Sequence, residues 1–443
     1  MKVTRLPIDP GPAGWNRLLE APSSARVLEE DITADWLVIG AGFAGLAAAR
    51  RLSQLCKGDR IAVVEAARVA DGPAGRNSGF MIDLPHDLAS TTYAGGLDAD
   101  RAQTAMNRHG IGFAREAAEE YGLDAEAFTL SGKINAAATE KGHRHNLSYA
   151  AHLEALGEAY ELRDAAQMRA MTGTGYYQSG LFTPGCAVIQ PAKFVRGVAA
   201  GLVAQGVALY ENSPVIELSR DGDWVARTAG GQITAPKVIL AVNGHLARFG
   251  HFTRHLMHVF TYASMTRALS ADEVARLGGQ PVWGVTSADP MGTTVRRISG
   301  QGGDRITVRN RFTFDPSMEV DEARIAAVAR DHDRSFAARF PMLADVGMEF
   351  RWGGRLCLSR NNVQIVREVE PDLFAACCQN GLGTAKGTLA GKLAAELACG
   401  ERSAMLDQML ASDAPRKLPP APLAAMGARA YLRWQERRAG REL

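Results

Sequence analysis

The sequence predicts an α/β protein in two interleaved parts. One is a doubly wound half with a parallel sheet, and the other is built on a mixed, largely antiparallel sheet. Three observations carry this. A glycine turn at 40–45 separates an apolar strand from a helix and a second strand. A second strand, glycine turn and helix occupies 372–398. Between them, 293–298 and 305–314 alternate apolar and polar residues, as a strand with one covered face does.

In the first unit, Leu37 to Ile39 is a short apolar run, the pattern of a strand buried on both faces. Gly40, Gly42 and Gly45 follow as G-x-G-x-x-G. Gly40 permits the tight turn, Gly42 lets backbone approach a pyrophosphate, and Gly45 lets the helix lie close to the sheet. The helix N-terminus offers free N–H groups to the phosphates. Ile61 to Val64 forms the next strand, and Glu65 ends it 20 residues beyond Gly45, where a ribose hydroxyl needs an acceptor. The motif alone fits FAD or NAD equally.

The chain has 443 residues, enough for two domains. At 46% hydrophobic and 22% charged it has the composition of an ordinary soluble globular protein. A net charge of +2 gives no basic excess, so nucleic acid is not an expected partner. No apolar run is long enough to span a membrane, and the N-terminus has no hydrophobic leader segment. Cys56, Cys186, Cys357, Cys377, Cys378 and Cys399 are scattered without zinc spacing, which predicts reduced thiols and a cytoplasmic location.

Residues 1–30, rich in Pro, Gly and Ala, read as a surface-hugging extension anchored by Trp15 and Leu18-Leu19. The loop 71–79 is full of turn formers and carries one fixed charge, Arg76. Helices are expected at 100–121, near 145–157, at 192–205 behind Pro191, and at 322–340. Short β segments lie between Val207 and Thr228 and lead into the buried strand starting at Lys237, which is not the simple βαβ pattern of a nicotinamide dehydrogenase. On 305–314, Ile306, Val308, Phe312 and Phe314 should share one face, with Arg305, Arg309 and Arg311 on the other. The strand Asp372 to Cys378 runs through Gln379-Asn-Gly-Leu-Gly-Thr384 into a helix from about Ala385 to Ala398.

Together the fingerprint ending in Glu65, the loop Gly75-Arg76-Asn77-Ser78-Gly79, Ala241-Val-Asn-Gly244, Trp352-Gly-Gly354 and Asn380-Gly-Leu-Gly383 resemble the D-amino-acid-oxidase (DAO) superfamily. Within it the chain is most similar to the γ-glutamylputrescine oxidase branch. The resemblance implies a Rossmann-like FAD-binding domain with a discontinuous α+β substrate domain, the DAO/glutathione-reductase-like FAD fold. The FAD domain would comprise 31–95, 180–250 and 345–403. The substrate domain would comprise 96–179 and 251–344, and 404–443 would be a C-terminal extension with a helix. Carried over by position, Gly40, Gly42, Ala44 and Gly45 hold the pyrophosphate, and Glu65 and Ala66 the adenosine ribose. Arg76, Asn77, Ser78 and Gly79 run past the phosphates towards the ring. Val215 holds the adenine edge, while Asn243 and Gly354 lie near the flavin. Gly381, Leu382, Gly383 and Thr384 face its pyrimidine oxygen, where a helix N-terminus stabilises negative charge.

Similar enzymes oxidise a carbon–nitrogen bond of a polyamine, γ-glutamyl amine or N-substituted amino acid, passing hydride to flavin N5 and giving an imine that hydrolyses. Hydrogen peroxide forms where oxygen is the acceptor. This needs an aligned, neutral amine more than a strong base. Arg296 and Arg297 are candidates to bind a substrate carboxylate bidentately. Tyr262 is placed to donate above the ring, and Lys386 is the late lysine nearest the flavin. No metal is expected, since His251, His255 and His258 have no completing acid or cysteine nearby. Arg76 stands where some relatives attach flavin through histidine, and Cys357 is out of register with a cysteine linkage, so FAD is expected to be non-covalent. A dehydrogenase serving an electron carrier, a flavoprotein subunit of a larger complex, and a tRNA-modifying relative are the alternative readings. The low charge opposes the last. The C-terminal helix, with Leu423, Met426, Ala430 and Trp434 at helical spacing, is expected to pack on the FAD domain rather than lie on a membrane.

Overall fold

A computed structural model describes residues 1–22, 24–85 and 94–443. A six-stranded sheet runs in the order Ala208–Tyr210, Ile61–Val64, Trp36–Ile39, Lys237–Leu240, Leu373–Cys377 and Ile365–Glu370. The first five are parallel neighbours, and the last pairs antiparallel. Trp36–Ile39 is buried at all four positions because both faces are covered. Trp36 and Val38 point into a cluster with the helices Phe43–Leu55, Leu97–Glu120, Pro191–Ala204 and Gly383–Ala398. Leu37 and Ile39 point the other way, onto Leu218, Trp224 and Ile233 of a small, largely antiparallel sheet. Of the β segments expected between Val207 and Thr228, the first is the edge strand Ala208–Tyr210 of the parallel sheet, and Glu217–Asp221 and Asp223–Arg227 roof that sheet.

Two of the helices touch backbone to backbone. A Cβ at Gly391 would lie 1.9 Å from the Ala44 carbonyl oxygen, so only glycine lets Gly383–Ala398 cross Phe43–Leu55 this closely.

The second large sheet has eight strands, in the order Met348–Ser359, Leu256–Thr266, Gly303–Phe314, Thr294–Gly300, Trp283–Ser287, Lys133–Ala137, Ser179–Thr183 and Glu161–Asp164. It is antiparallel except where Trp283–Ser287 meets Lys133–Ala137. On Gly303–Phe314 the expected single apolar face is split. Arg311 sits at φ +60°, and the register with Leu256–Thr266 shifts between Thr261 and Tyr262. That bulge puts Ile306 and Val308 in a cluster with Phe336 and Phe340, and Phe312 and Phe314 in a different one with Leu432 and Ala439.

One further expectation is corrected. The helix Ala421–Ala439 packs on the antiparallel sheet through Ala425, Ala428 and Leu432, not on the parallel half, and Arg311 bridges Asp331 and Glu436 beneath it. Leu423, Met426, Tyr431 and Trp434 of that helix remain exposed. The N-terminal segment is anchored where expected, with Trp15 and Leu18 buried in the main core. Among the described residues, no helix is long and apolar enough to cross a membrane.

Candidate active site

A cavity of about 2290 Å³, its open mouth included, joins the carboxyl ends of the parallel strands to the eight-stranded sheet. Two helices aim bare N-termini at it. Phe43–Leu55 starts behind Gly42 and Gly383–Ala398 behind Leu382, neither with a side-chain cap or an acid in the first turn. Gly42, Ala44, Leu382, Gly383 and Thr384 line the cavity. First-turn N–H groups have no partner within their own helix, and the helix dipole makes that end positive. Two such ends on one cavity suit a ligand with phosphates and a second electron-rich centre.

At the first end, Gly40 turns at φ +105°, where a Cβ would lie 2.7 Å from the Ala241 carbonyl oxygen. Gly45 does not face the cavity. A Cβ there would lie 1.7 Å from the Gly40 carbonyl oxygen, so Gly45 seats the helix against the turn. Glu65 accepts from the Ala41 N–H at 2.8 Å and the Ala67 N–H at 3.2 Å. Burial pushes its pKa up, against the pull of those backbone donors. Ala66 and Val215 line the same end.

Along the middle, Asn77, Ser78, Asn243, Gly354 and Gly381 line the cavity. Asn77 is fixed by its own amide, which donates to the Ala74 carbonyl and accepts from the Gly79 N–H. Gly79 points elsewhere, its missing side chain making room for Arg296. The Arg76 guanidinium donates to the carbonyls of Asp71, Pro10, Gly11 and Gly353. It ties the N-terminal segment to the loop, so its charge lies beside the cavity while its donors are engaged by backbone.

The candidate catalytic residues separate. Tyr262 lines the cavity, but its hydroxyl is bonded to Thr313 at 2.6 Å. Burial raises its pKa to about 12. Arg297 does not reach the cavity. Its guanidinium donates to the carbonyls of Gly278 and Gln280, with Asp304 at 3.5 Å. Arg296 is equally structural, donating to the carbonyls of Ser78 and Ile189 and lying over Trp15. Lys386 is buried in its helix and is not among the lining residues.

The structure adds residues the sequence did not single out. Arg5, Leu6, Pro7 and Asp9 of the N-terminal segment line the cavity. Asp9 pairs with Arg355 at 2.8 Å through one carboxylate oxygen, while its Oδ1 is buried with no hydrogen-bond partner. At the antiparallel sheet, Thr286, Thr294, Arg309 and Met318 line the far end with Phe80 and Ile82. The Thr286 hydroxyl donates to Asn135 Oδ1 at 2.8 Å, and the buried Lys133 ammonium donates to the same oxygen at 2.5 Å. An amide oxygen only accepts, so Thr286 Oγ1 keeps its lone pairs for the cavity. The signal for Arg309 was a cation inside an apolar alternating strand. Lys133, in Lys-Ile-Asn-Ala-Ala, had the same mark.

His245 and His258 line the cavity behind Arg355. Burial, with Arg355 and Arg248 nearby, pushes His245 down to about 3 and His258 down to about 4. Both are neutral in the fold and take up protons only on unfolding below the usual value of 6.5. The unfolded chain binds more protons in that window, so stability rises with pH there and is lost on acidification. The melting temperature should therefore fall steeply from pH 6.5 to pH 4 and stay flat from 7 to 9. H245N/H258N should flatten the slope; an unchanged slope would refute this origin.

The chain's similarities agree with this geometry. Residues 35–397 match the family model described as DAO, FAD dependent oxidoreductase. The "Probable oxidoreductase OrdL" of Rhizobium meliloti (strain 1021) is 27% identical over 411 residues, covering 89% of this chain and 90% of the relative. Gamma-glutamylputrescine oxidoreductase of Escherichia coli (strain K12) is 27% identical over 379 residues, covering 84% and 85%. Among solved structures, glycine oxidase from Geobacillus kaustophilus superposes with a TM-score of 0.68 at 18% identity, covering 84% of this chain and 96% of that one.

Proposed function

Because the chain belongs to the DAO family of FAD-dependent oxidoreductases, we propose that it oxidises the carbon–nitrogen bond of a small amine or amino acid bearing a carboxylate. The residues present fit FAD. Two uncapped helix ends, the half-buried Glu65 carboxylate and the orphaned Asp9 oxygen meet on one cavity. Gly40, Gly42, Ala44, Glu65, Ala66 and Val215 would hold its adenosine and phosphates. Asn77, Ser78, Asn243, Gly354 and Gly381 to Thr384 would hold the ring end. When bound, FAD supplies the hydride acceptor for the oxidation.

The observation that carries the substrate class is Arg309 on the far wall of the cavity. Its planar fork suits a carboxylate. Thr286 Oγ1 offers an acceptor to the substrate N–H, and its orientation is fixed by Asn135 and Lys133. Phe80, Ile82 and Met318 supply apolar walls that keep water from the reacting carbon. The glycine in the name of one structural neighbour and the γ-glutamyl group in the name of one relative both carry a carboxylate.

The test is an anaerobic absorbance scan of the purified protein with γ-glutamyl amines, N-substituted amino acids, glycine, polyamines and D-amino acids added singly. Bleaching of the flavin band by carboxylated amines is the expected result. Rapid recovery in air would identify oxygen as the acceptor, and slow recovery would point to an electron carrier. Bleaching only by amines without a carboxylate would overturn the substrate class.

Flavin attachment is a separate prediction. The Cys357 hydrogen bond with Cys378, together with burial, raises its thiol well above its usual range, so it is not a nucleophile at neutral pH. Acid precipitation should release all the flavin into the supernatant. Flavin left in the pellet, mapped to a Cys357 peptide, would refute this.

A further inference from the structure

The two helices that point their N-termini at the cavity also meet at their opposite ends. Cys56 directly follows Phe43–Leu55, and Cys399 directly follows Gly383–Ala398. Their sulfurs are 3.3 Å apart, although the residues are 343 positions apart in sequence. Both are partly exposed, whereas Cys186, Cys357, Cys377 and Cys378 are buried. The arrangement is held from both sides. Gly391 keeps the helices in backbone contact, and Lys237 donates from its ammonium to the Ala398 carbonyl at 2.7 Å, beside Cys399.

We propose that Cys56 and Cys399 are a redox modification site that closes to a reversible disulfide when the protein meets a peroxide. One thiolate attacks a peroxide oxygen, breaking the O–O bond, to give a sulfenic acid and hydroxide. The second thiol then attacks that sulfur, forming the S–S bond and expelling water. Two thiols lose two electrons and two protons, and hydrogen peroxide becomes two waters. Burial and the sulfur–sulfur hydrogen bond with Cys56 push the Cys399 thiol up to about 12, and the 3.3 Å separation places either sulfur to resolve a sulfenic acid formed on the other. A disulfide bond is about 2.05 Å long, so the sulfurs must approach by side-chain rotation at two helix ends, where the chain yields most easily.

The bond would clamp the ends of the helices whose other ends frame the cavity. It closes a loop spanning most of the chain, which constrains the unfolded state strongly. The oxidised form should melt higher by about 2–5 °C.

The test treats the flavin-loaded protein with graded hydrogen peroxide, blocks remaining thiols with iodoacetamide without reduction, and maps the digest by mass spectrometry. The expected product is a peptide joining Cys56 to Cys399, in a protein two hydrogens lighter, reversed by dithiothreitol together with the shift in melting. Separate alkylation of both cysteines at every dose, over-oxidation of either without a cross-link, or a dimer joined through either one would overturn the proposal. In C56S the cross-link and the mass loss should both disappear; persistence of the loss would assign it to another pair and also overturn the proposal. Peptide mapping does not depend on catalysis, so this result stands or falls apart from the substrate class.

Discussion

Gly45→Ala is expected to purify with less than about a tenth of its flavin, because a clash of this kind costs about 1–3 kcal/mol or more. The new Cβ would lie 1.7 Å from the Gly40 carbonyl oxygen and 2.8 Å from its carbon. Both are backbone atoms of the turn itself, and no side-chain rotation relieves the contact. The helix Phe43–Leu55 must move off the turn, and its first N–H groups move with it. The same shift strains the Gly391 crossing with Gly383–Ala398. Melting should fall alongside flavin content. Gly42→Ala separates the two effects. A Cβ at Gly42 would meet only the Ala74 Cβ, at 3.5 Å, and otherwise open space on the cavity side. That variant should keep its flavin-free stability to within about 0.5 kcal/mol while losing flavin affinity at least about tenfold. Absorbance at the flavin band, calibrated on released flavin, and thermal melting of the stripped proteins decide it. Full flavin content in G45A would mean that the helix end does not hold the phosphates.

The glycines were legible because a turn of that shape admits almost nothing else, and the strand before and acid after them fix the context. The second glycine turn was legible for the same reason. Arg309 was harder. Alternation assigns residues to two faces but does not say what covers each face. Arg297, Arg305, Arg309 and Arg311 look alike in sequence, yet of these four Arg309 alone lines the cavity. Arg297 holds two backbone carbonyls, Arg305 meets Glu349, and Arg311 bridges two helices. The bulge at Arg311 then moves Phe312 and Phe314 into a different cluster from Ile306 and Val308, which no count of residues anticipates. The anchors Trp15 and Leu18 of the N-terminal segment were legible, but its contribution to the cavity was not, because Pro and Gly report turns and not partners. Its place in the cavity wall is set by Arg76, which bonds to its carbonyls from 66 positions away at Pro10 and 65 at Gly11.

Arg309→Gln separates the cavity arginine from its structural neighbours. If its guanidinium binds a substrate carboxylate, the variant loses charge-assisted hydrogen bonds worth about 1.5–3 kcal/mol, or about 10- to 100-fold in kcat/KM. The loss should fall on carboxylated amines and spare amines without a carboxylate, since the bond exists only with the former. Flavin content should stay at the wild-type level, because the residues framing the two helix ends are untouched. Arg297→Gln should do the reverse. Its guanidinium sits on the Gly278 and Gln280 carbonyls, so truncation strands buried acceptors and lowers melting, with KM unchanged. Steady-state kinetics on one carboxylated and one uncarboxylated amine, run on both variants, reads the difference directly. An equal loss on both substrates in R309Q would make that residue a part of the wall and not the anchor. A KM effect confined to R297Q would return the carboxylate to the position the sequence alone suggested. Lysine at 309 adds a finer reading: it keeps the charge but not the fork, so partial recovery would mean charge alone suffices, and none would mean recognition is bidentate.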